Sequence, residues 1–339
     1  MKLIKTEDAV GHVLCHDLTQ IIKDQYKDAR FRKGHVVTQE DIPVLLSMGK
    51  EHLYVWEMTP GMLHENDAAE RLYALCVGDH MDRSEVKEGK IELKAACDGL
   101  FRVNSEKLMA VNSIEDIMIA TRKGGTAVRK GDKLAGMRVI PLIIPEEKLQ
   151  AAEQAAGDTS LLELKPWVRR TAAIVATGSE VKKGLIQDTF TPVVKDKLAF
   201  YGIETLSVSY SGDGVENVAN AIAEARATGA DVILCTGGMS VDPDDNTPGG
   251  IKESGAKIIT YGAPVLPGAM FLLGYYDDGT PVMGLPGCVM YAGATIFDLV
   301  LPFVTADVPV TRQQIVTLGE GGLCLGCKPC HWPECPFGK

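Results

Sequence analysis

Residues 171–180 read TAAIVATGSE, and residues 232–240 read VILCTGGMS. Each is a short run of small and branched apolar side chains followed at once by threonine, glycine and further polar residues. An apolar run of strand length with no polar alternation fits a strand buried on both faces, as in a parallel sheet. Between the two runs the period changes. From Asp188, the residues Phe190, Val193, Val194, Leu198 and Tyr201 recur at helical spacing, with Gly202 as the stop. IETLSVS (203–209) then reads as a strand. SGDG (211–214) opens a second amphipathic helix with Val215, Val218, Ala219, Ile222 and Ala225 on one face and Gly229 at its end. The order β-α-β-α-β predicts parallel strands joined by right-handed crossovers, with helices on both faces. PVMGLPG (281–287) adds a strand and a glycine turn, which begins a final helix through Ile296 and Leu299 that is expected to stop near Pro302. The predicted fold class is α/β, a doubly wound, mainly parallel sheet, with a smaller N-terminal α+β region.

Outward from this block, the 339-residue chain divides into four predicted parts: 1–58, 59–165, 166–305 and a cysteine-rich tail, 306–339. In the first, VGHVLCHDL (10–18) is strand-like, Thr38 precedes a short helix closed by Gly49, and HLYVWE (52–57) reads as a strand. The second opens on the breaker Pro60-Gly61, carries a helix from about Asp67 to Val77, and turns at Asp98-Gly99. A helix or turn is expected around Ser113 to Ala120. TAVRKGDKLAGMRVIPLII (126–144) suggests a hairpin, a small barrel element or an irregular loop, and a helix from Pro145 to Ala156 ends at Gly157-Asp158.

Hydrophobic residues at 45% and charged residues at 24% describe an ordinary globular chain. The formal charge of −10 gives a far field that repels DNA, RNA and anionic lipid, so neither nucleic acid nor membrane is expected as a partner. An anionic ligand must then be held locally, by backbone N–H groups, helix N-termini or a metal ion. MKLIKTEDAV lacks the apolar stretch of a signal peptide, and a cytoplasmic location is expected.

The polar loops fall at the carboxyl ends of the predicted strands, where such sheets bind ligands. Thr177-Gly178-Ser179-Glu180 reads as a plain turn or as a ligand-facing loop. Gly237 and Gly238, between Thr236 and Met239-Ser240, can point consecutive N–H groups inward as an anion nest. Asp242, Asp244 and Asp245 follow closely, either as an Mg²⁺ site or as a solvated capping loop. Pro286-Gly287-Cys288 offers free N–H groups, and Cys288 is either a poised thiol or a small residue tolerated at a tight turn. In the tail, Cys324, Cys327, Cys330 and Cys335 have spacings that suit thiolate ligation of Zn²⁺ or, with one residue too many, an iron–sulfur cluster. Cys15, Cys76, Cys97 and Cys235 read as small buried hydrophobes.

On three ordered motifs, TGSE (177–180), GGMSVDPDD (237–245) and LPGC (285–288), the stretch Thr171 to Pro302 resembles the molybdopterin-binding domain shared by the molybdopterin molybdenumtransferase and adenylyltransferase families. FRKGHVVTQEDIPVLLSMGKEHLYV (31–55) also looks like the stretch that precedes this domain in the molybdenumtransferases. The resemblance implies binding of molybdopterin or its adenylate, and insertion of molybdenum with Mg²⁺ and release of AMP. It places Thr177, Gly178, Ser179 and Glu180 around the pterin or nucleotide, and Gly237, Gly238, Ser240, Pro286 and Gly287 around phosphate. Asp188 falls on the aspartate of the family's D-S-N, and Asp245 on its functional aspartate, with Asp242 beside it as a metal ligand; Asp245, Asp188 and Glu180 are the catalytic candidates. The sequence also departs from the family. Phe190 stands for the asparagine of D-S-N, Cys288 for that of L-P-G-N, and Val265-Leu-Pro-Gly-Ala-Met270 lacks the lysine of the family's P-G-K-P loop. Three functions are therefore compared: a molybdenumtransferase-like enzyme, a non-catalytic molybdopterin carrier serving a molybdoenzyme or maturation factor, and a nucleotide pyrophosphatase. A homo-oligomer is compatible with each.

Overall fold

The computed structural model describes residues 2–22, 26–55, 60–243 and 245–339. Trp56 and Glu57 of the expected strand HLYVWE, the boundary at 58/59, and Asp244 lie outside the described residues. The chain forms two compact units. One comprises 1–96, 103–124 and 130–163, the other 97–102, 125–129 and 164–339.

The first unit is α+β, and the strand pairs within it are antiparallel. Lys133–Val139 lies between Lys90–Ala95 and Ile117–Thr121, and Lys2–Lys5 pairs with His52–Val55. Four helices, Asp41–Ser47, Glu65–Cys76, Ser105–Asn112 and Glu146–Ala156, are described in this unit. Two local expectations change. The helix or turn expected around Ser113 to Ala120 is a turn at 113–116, and a helix precedes it at Ser105–Asn112, because the Asn104 side chain accepts from the Lys107 amide and caps it there. The β-branched run after it forms the strand Ile117–Thr121 instead. The stretch 126–144 is not one hairpin: Thr126–Val128 pairs with Gly99–Val103, whereas Lys133–Val139 joins a different sheet.

The second unit contains the doubly wound sheet. Its strands are β1 (Thr171–Thr177), β2 (Glu204–Ser211), β3 (Val232–Thr236), β4 (Lys257–Tyr261), β5 (Leu272–Tyr275) and β6 (Pro281–Leu285), in spatial order β2-β1-β3-β6-β5-β4. β1, β2, β3 and β6 run parallel, and β5 is antiparallel to both β6 and β4. The helices are α1 (Phe190–Phe200), α2 (Val215–Ala227), α3 (Thr247–Glu253), α4 (Ile296–Thr305) and α5 (Arg312–Thr317).

The apolar run of β1 explains the layering. Successive side chains of a strand point to opposite faces. Ala172 and Ile174 enter a core with Phe190, Val194 and Leu198 of α1 and Phe297 and Leu301 of α4. Ala173 and Val175 enter the opposite core, with Val218, Ile222 and Ala225 of α2 and Ile251 of α3. Each fully buried branched side chain contributes about 1.5–3 kcal/mol, so both faces of this strand must be covered.

α4 does not stop near Pro302 but continues to Thr305. A proline inside a helix forfeits one backbone hydrogen bond, at a cost of about 3 kcal/mol. Here burial of nearly the whole helix, from Ile296 to Thr305, offsets it. No described helix is long and apolar enough to cross a membrane.

Candidate functional site

β1 is the first strand of the sheet in chain order; the chain goes from it to β2 on one side and then crosses back to β3 on the other. The carboxyl edge at this reversal is where doubly wound sheets open a crevice for ligand. The registers set three motif-bearing tips level there: Ala176 pairs with Thr236, and Thr236 with Leu285. TGSE, TGGMS and LPGC therefore leave the sheet at one edge, as the sequence predicts.

The Thr177 hydroxyl lies 3.0 Å from the Thr236 carbonyl and 2.8 Å from the Thr247 hydroxyl, which is itself 2.8 Å from the Gly237 carbonyl. With one proton on each hydroxyl, one threonine donates to a carbonyl and the other donates to its fellow hydroxyl. The tip of β1 is thereby tied to the glycine nest and to the first turn of α3. Gly237 and Gly238 have φ of +83° and +55°. A Cβ on Gly237 would stand 2.4 Å from the Thr177 carbonyl oxygen, and one on Gly238 2.8 Å from the Thr247 hydroxyl. Both glycines are required by left-handed backbone and by close approach.

TGSE does not remain an open loop. Gly178 takes φ +129° and Ser179–Lys182 forms a single helical turn. The Ser179 amide donates to the Asp213 carboxylate at 3.3 Å, and the Asp213 amide donates back to the Ser179 hydroxyl at 3.3 Å. Glu180 and Lys182 are exposed on this turn.

Asp188 fixes the start of α1, where one carboxylate oxygen accepts from the Phe190 amide at 2.9 Å and the Thr191 amide at 3.0 Å. Burial works to raise its pKa, but the hydrogen bonds given by Thr191 and Phe190 outweigh it and hold the carboxyl below its usual range. The Tyr210 hydroxyl also hydrogen-bonds this carboxylate and adds to the same downward shift.

Asp245 faces its own turn: the Asp242 amide donates to its carboxylate at 3.2 Å, and its amide donates to the Asp242 carbonyl at 2.9 Å. Asp242 is exposed. Among the described residues no three His, Cys, Asp or Glu side chains are gathered as a metal-binding group.

Ser240 is exposed beyond the nest, and its carbonyl and that of Met239 lie 3.4 and 3.0 Å from the Tyr261 hydroxyl at the tip of β4. Pro286 is buried, and Gly287 is exposed at the start of a 3₁₀ turn, Gly287–Met290. This turn is separate from α4, which begins at Ile296 with its own Thr295–Asp298 capping box; the expectation that LPGC opens the last helix is corrected on that point. Burial raises the Cys288 thiol, so it stays protonated at neutral pH and is not a poised thiolate.

Thr247, Asp213, Thr191 and Lys182 were not singled out in the sequence. Lys182 lay in TGSEVKKG, read as a polar loop, and Asp213 in SGDG, read as opening a helix. Thr247 and Thr191 are ordinary threonines in one-dimensional view and gain significance from the neighbours that the sheet brings to them.

This arrangement defines a doubly wound domain with three glycine-bearing polar loops at the carboxyl edge of its sheet. Residues 173–306 match the family described as "Probable molybdopterin binding domain", and this domain is a divergent member of the molybdopterin-binding family. Residues 3–57 match a domain family of unknown function. A CinA-like protein of Desulfosudis oleivorans is 37% identical over 86 residues, covering 25% of this chain and 21% of that protein. One from Mycobacterium sp. (strain MCS) is 34% identical over 76 residues, covering 22% and 18%. The match thus spans about a fifth of the length of these curated relatives. Among solved structures, the protein CinA from Thermoplasma acidophilum is similar at 16% identity with a TM-score of 0.35, covering 40% of this chain and 98% of that one. The tungsten cofactor synthesizing protein MoaB from Pyrococcus furiosus is similar at 22% identity with a TM-score of 0.31, covering 36% and 84%.

Proposed function

We propose that the crevice binds molybdopterin or its adenylate through the phosphate, and that the protein acts in molybdenum-cofactor biosynthesis by holding and delivering this ligand. The observation that carries the reading is the convergence of the TGSE, TGGMS and LPGC tips at one sheet edge, two of them with left-handed glycines. In this reading the amides of the Gly237-Gly238 nest and of Gly287 and Cys288 meet the phosphate. Thr177 and Thr247 hold the nest rigid, so little conformational entropy is lost on binding. Asp188, whose carboxylate is held by Thr191, Phe190 and Tyr210, fixes the start of α1 beside the ligand. Lys182 adds a positive charge at the rim. Asp242 and Asp245 would hold a Mg²⁺ ion, which would neutralise phosphate charge when bound.

Delivery is favoured over molybdenum insertion by the loop Val265–Met270. Where the resembling transferases carry a lysine able to neutralise molybdate, this loop has none. Its Leu266 backbone is instead engaged by the chain's own tail, donating to the Gly322 carbonyl and accepting from the Cys324 amide, each at 2.8 Å.

The test is anaerobic titration of the purified protein with molybdopterin and with its adenylate, with and without Mg²⁺ and molybdate. Stoichiometric binding without AMP release is expected. AMP release dependent on molybdate would return the protein to the molybdenumtransferases, and no binding of either ligand would sink both readings. Hydrolysis of ADP-ribose in the same assay would favour a nucleotide pyrophosphatase, a reading prompted by the CinA-like relatives.

A further inference from the structure

Residues 324–339 carry neither helix nor strand, yet they are docked closely. Leu323 forms a parallel bridge with Leu266, and the Gly338 amide donates to the Gly321 carbonyl at 2.9 Å, closing the tail into a loop. Phe337 is 3% exposed and meets the Trp332 ring edge-on at 5.8 Å. Cys324, Trp332 and Cys335 pack against the core of the α/β domain. Cys330 lies against Gly293, where a Cβ would come within 2.6 Å of its Sγ. A segment this short, with few backbone hydrogen bonds, has little of its own to offset the entropy of ordering it.

The four tail cysteines share one feature. Cys324, Cys327, Cys330 and Cys335, with His331, line a single small cavity whose other walls include Leu325, Trp332 and Phe337. Its volume is about 30 Å³, room for a small bound species such as an ion. All four thiols are free of disulfides. They are not drawn to a common point, and no three form a preassembled metal group among the described residues.

From the shared cavity, the ligand spacing and the apolar wall, we infer that the tail is a mononuclear tetrathiolate site for a thiophilic divalent ion of the zinc class. Metal binding draws the four sulfurs inward, and each thiol releases its proton to solvent as the thiolate ligates. The apolar wall shields the half-buried Cys324 and Cys335. The ion cross-links a stretch that lacks secondary structure and fastens it to Leu266. Leu266 lies in the loop between β4 and β5, at the same sheet edge as the ligand crevice, since Tyr261 pairs with Leu272 and Leu272 with Gly284. The site is therefore structural and borders the crevice. It stands independently of which ligand the crevice takes.

The test uses the full chain, purified anaerobically and then stripped and reconstituted. About one Zn²⁺ per chain is expected by elemental analysis, and Co²⁺ substitution should give the visible bands of a tetrahedral tetrathiolate. Cys327 and Cys330 are exposed, so in the stripped protein they should alkylate rapidly, and metal should protect them by at least tenfold. The double variant Cys327→Ser/Cys330→Ser should lose the metal, while Cys97→Ser keeps it. Both variants should retain the circular dichroism of the folded chain; if the double variant does not, the alkylation of the wild-type chain decides alone. Equal alkylation with and without Zn²⁺, metal retained by a folded double variant, or about four irons with inorganic sulfide per chain would each overturn the inference.

Discussion

The hydroxyls of Thr177 and Thr247 lie 2.8 Å apart in the buried interior of the crevice wall, one at the tip of β1 and the other in the first turn of α3. This contact joins two segments that are 70 residues apart in the chain and makes the glycine nest a fixed object. Thr177→Val and Thr247→Val keep the shape and remove the hydroxyl, leaving a carbonyl or a hydroxyl unpaired. Each single change should cost about 1–3 kcal/mol of stability. The double variant should cost less than the sum, with a coupling of about 0.5–1.5 kcal/mol. Urea unfolding of the four proteins measures this, and strict additivity would show that the hydroxyls act separately.

Gly237→Ala tests the nest itself. At φ +83° the substitution meets left-handed strain of about 1–2 kcal/mol, and its Cβ would stand 2.4 Å from the backbone of Thr177, which cannot swing aside. Loss of phosphate-ligand affinity by at least tenfold is expected, with a lower urea midpoint. Gly229→Ala, at a helix end with nothing near its Cβ, should share the strain but keep the affinity. Equal losses in the two variants would refute a specific role for the nest.

The order of strands and helices from 171 to 236 was legible because the central strands β1 and β3 are short and apolar and the helices α1 and α2 are amphipathic and closed by glycine. Gly202 and Gly229 both take positive φ where a stop was expected. The common edge for the three motifs also followed, since parallel strands carry their following loops to one side. Position 302 was misread because proline is a local signal, whereas the burial that holds α4 together comes from distant residues. Residues 126–144 were misread for a related reason. Their alternating pattern marks strands but does not say which partner each will find. The threonine pair was invisible, because threonine in a turn looks the same in sequence whether or not another hydroxyl meets it.

Asp231 holds the opposite edge of the sheet. Its carboxylate accepts from the Arg170 amide at 2.7 Å and from the amide and hydroxyl of Thr171, both at 2.9 Å, so it clamps the start of β1 beside β3. Burial acts to raise its pKa, but these donors outweigh it and place the folded-state value below the ordinary 3.8. A depressed carboxyl binds fewer protons in the folded chain than in the unfolded one. Its contribution is therefore full above pH 3.8 and is lost as pH falls through the folded-state value. Asp231→Ala should cost about 1–3 kcal/mol at neutral pH and flatten the acid limb of a plot of urea midpoint against pH. An unchanged acid limb would assign that limb to other carboxylates.

Lys182 tests the rim charge. It follows TGSE on the single turn Ser179–Lys182, and its side chain passes 3.6 Å from the Cβ position of Gly212. An exposed lysine near a phosphate contributes at most about 1 kcal/mol, and salt screens it. Lys182→Glu should weaken binding of the phosphorylated ligand severalfold at low salt, and the difference should shrink as ionic strength rises. Isothermal titration at two salt concentrations separates this from a structural effect, which salt would leave in place.

Asp245 can serve the crevice in two ways, and the two have different signatures. As the acceptor of the Asp242 amide it shapes the loop beyond the nest; as a metal ligand it would need its negative charge. Asp245→Ala removes both roles, whereas Asp245→Asn keeps an acceptor oxygen and loses the charge. The turn geometry predicts that Asp245→Ala weakens ligand binding about fivefold to tenfold, the value of one hydrogen bond near 1 kcal/mol, equally with Mg²⁺ and with chelator. Asp245→Asn should restore most of the affinity, and neither variant should change the unfolding midpoint by much, because the loop is at the surface. If Asp245→Asn is as weak as Asp245→Ala, and the deficit of both disappears when Mg²⁺ is chelated, then the carboxylate acts on a metal ion and the capping role is secondary.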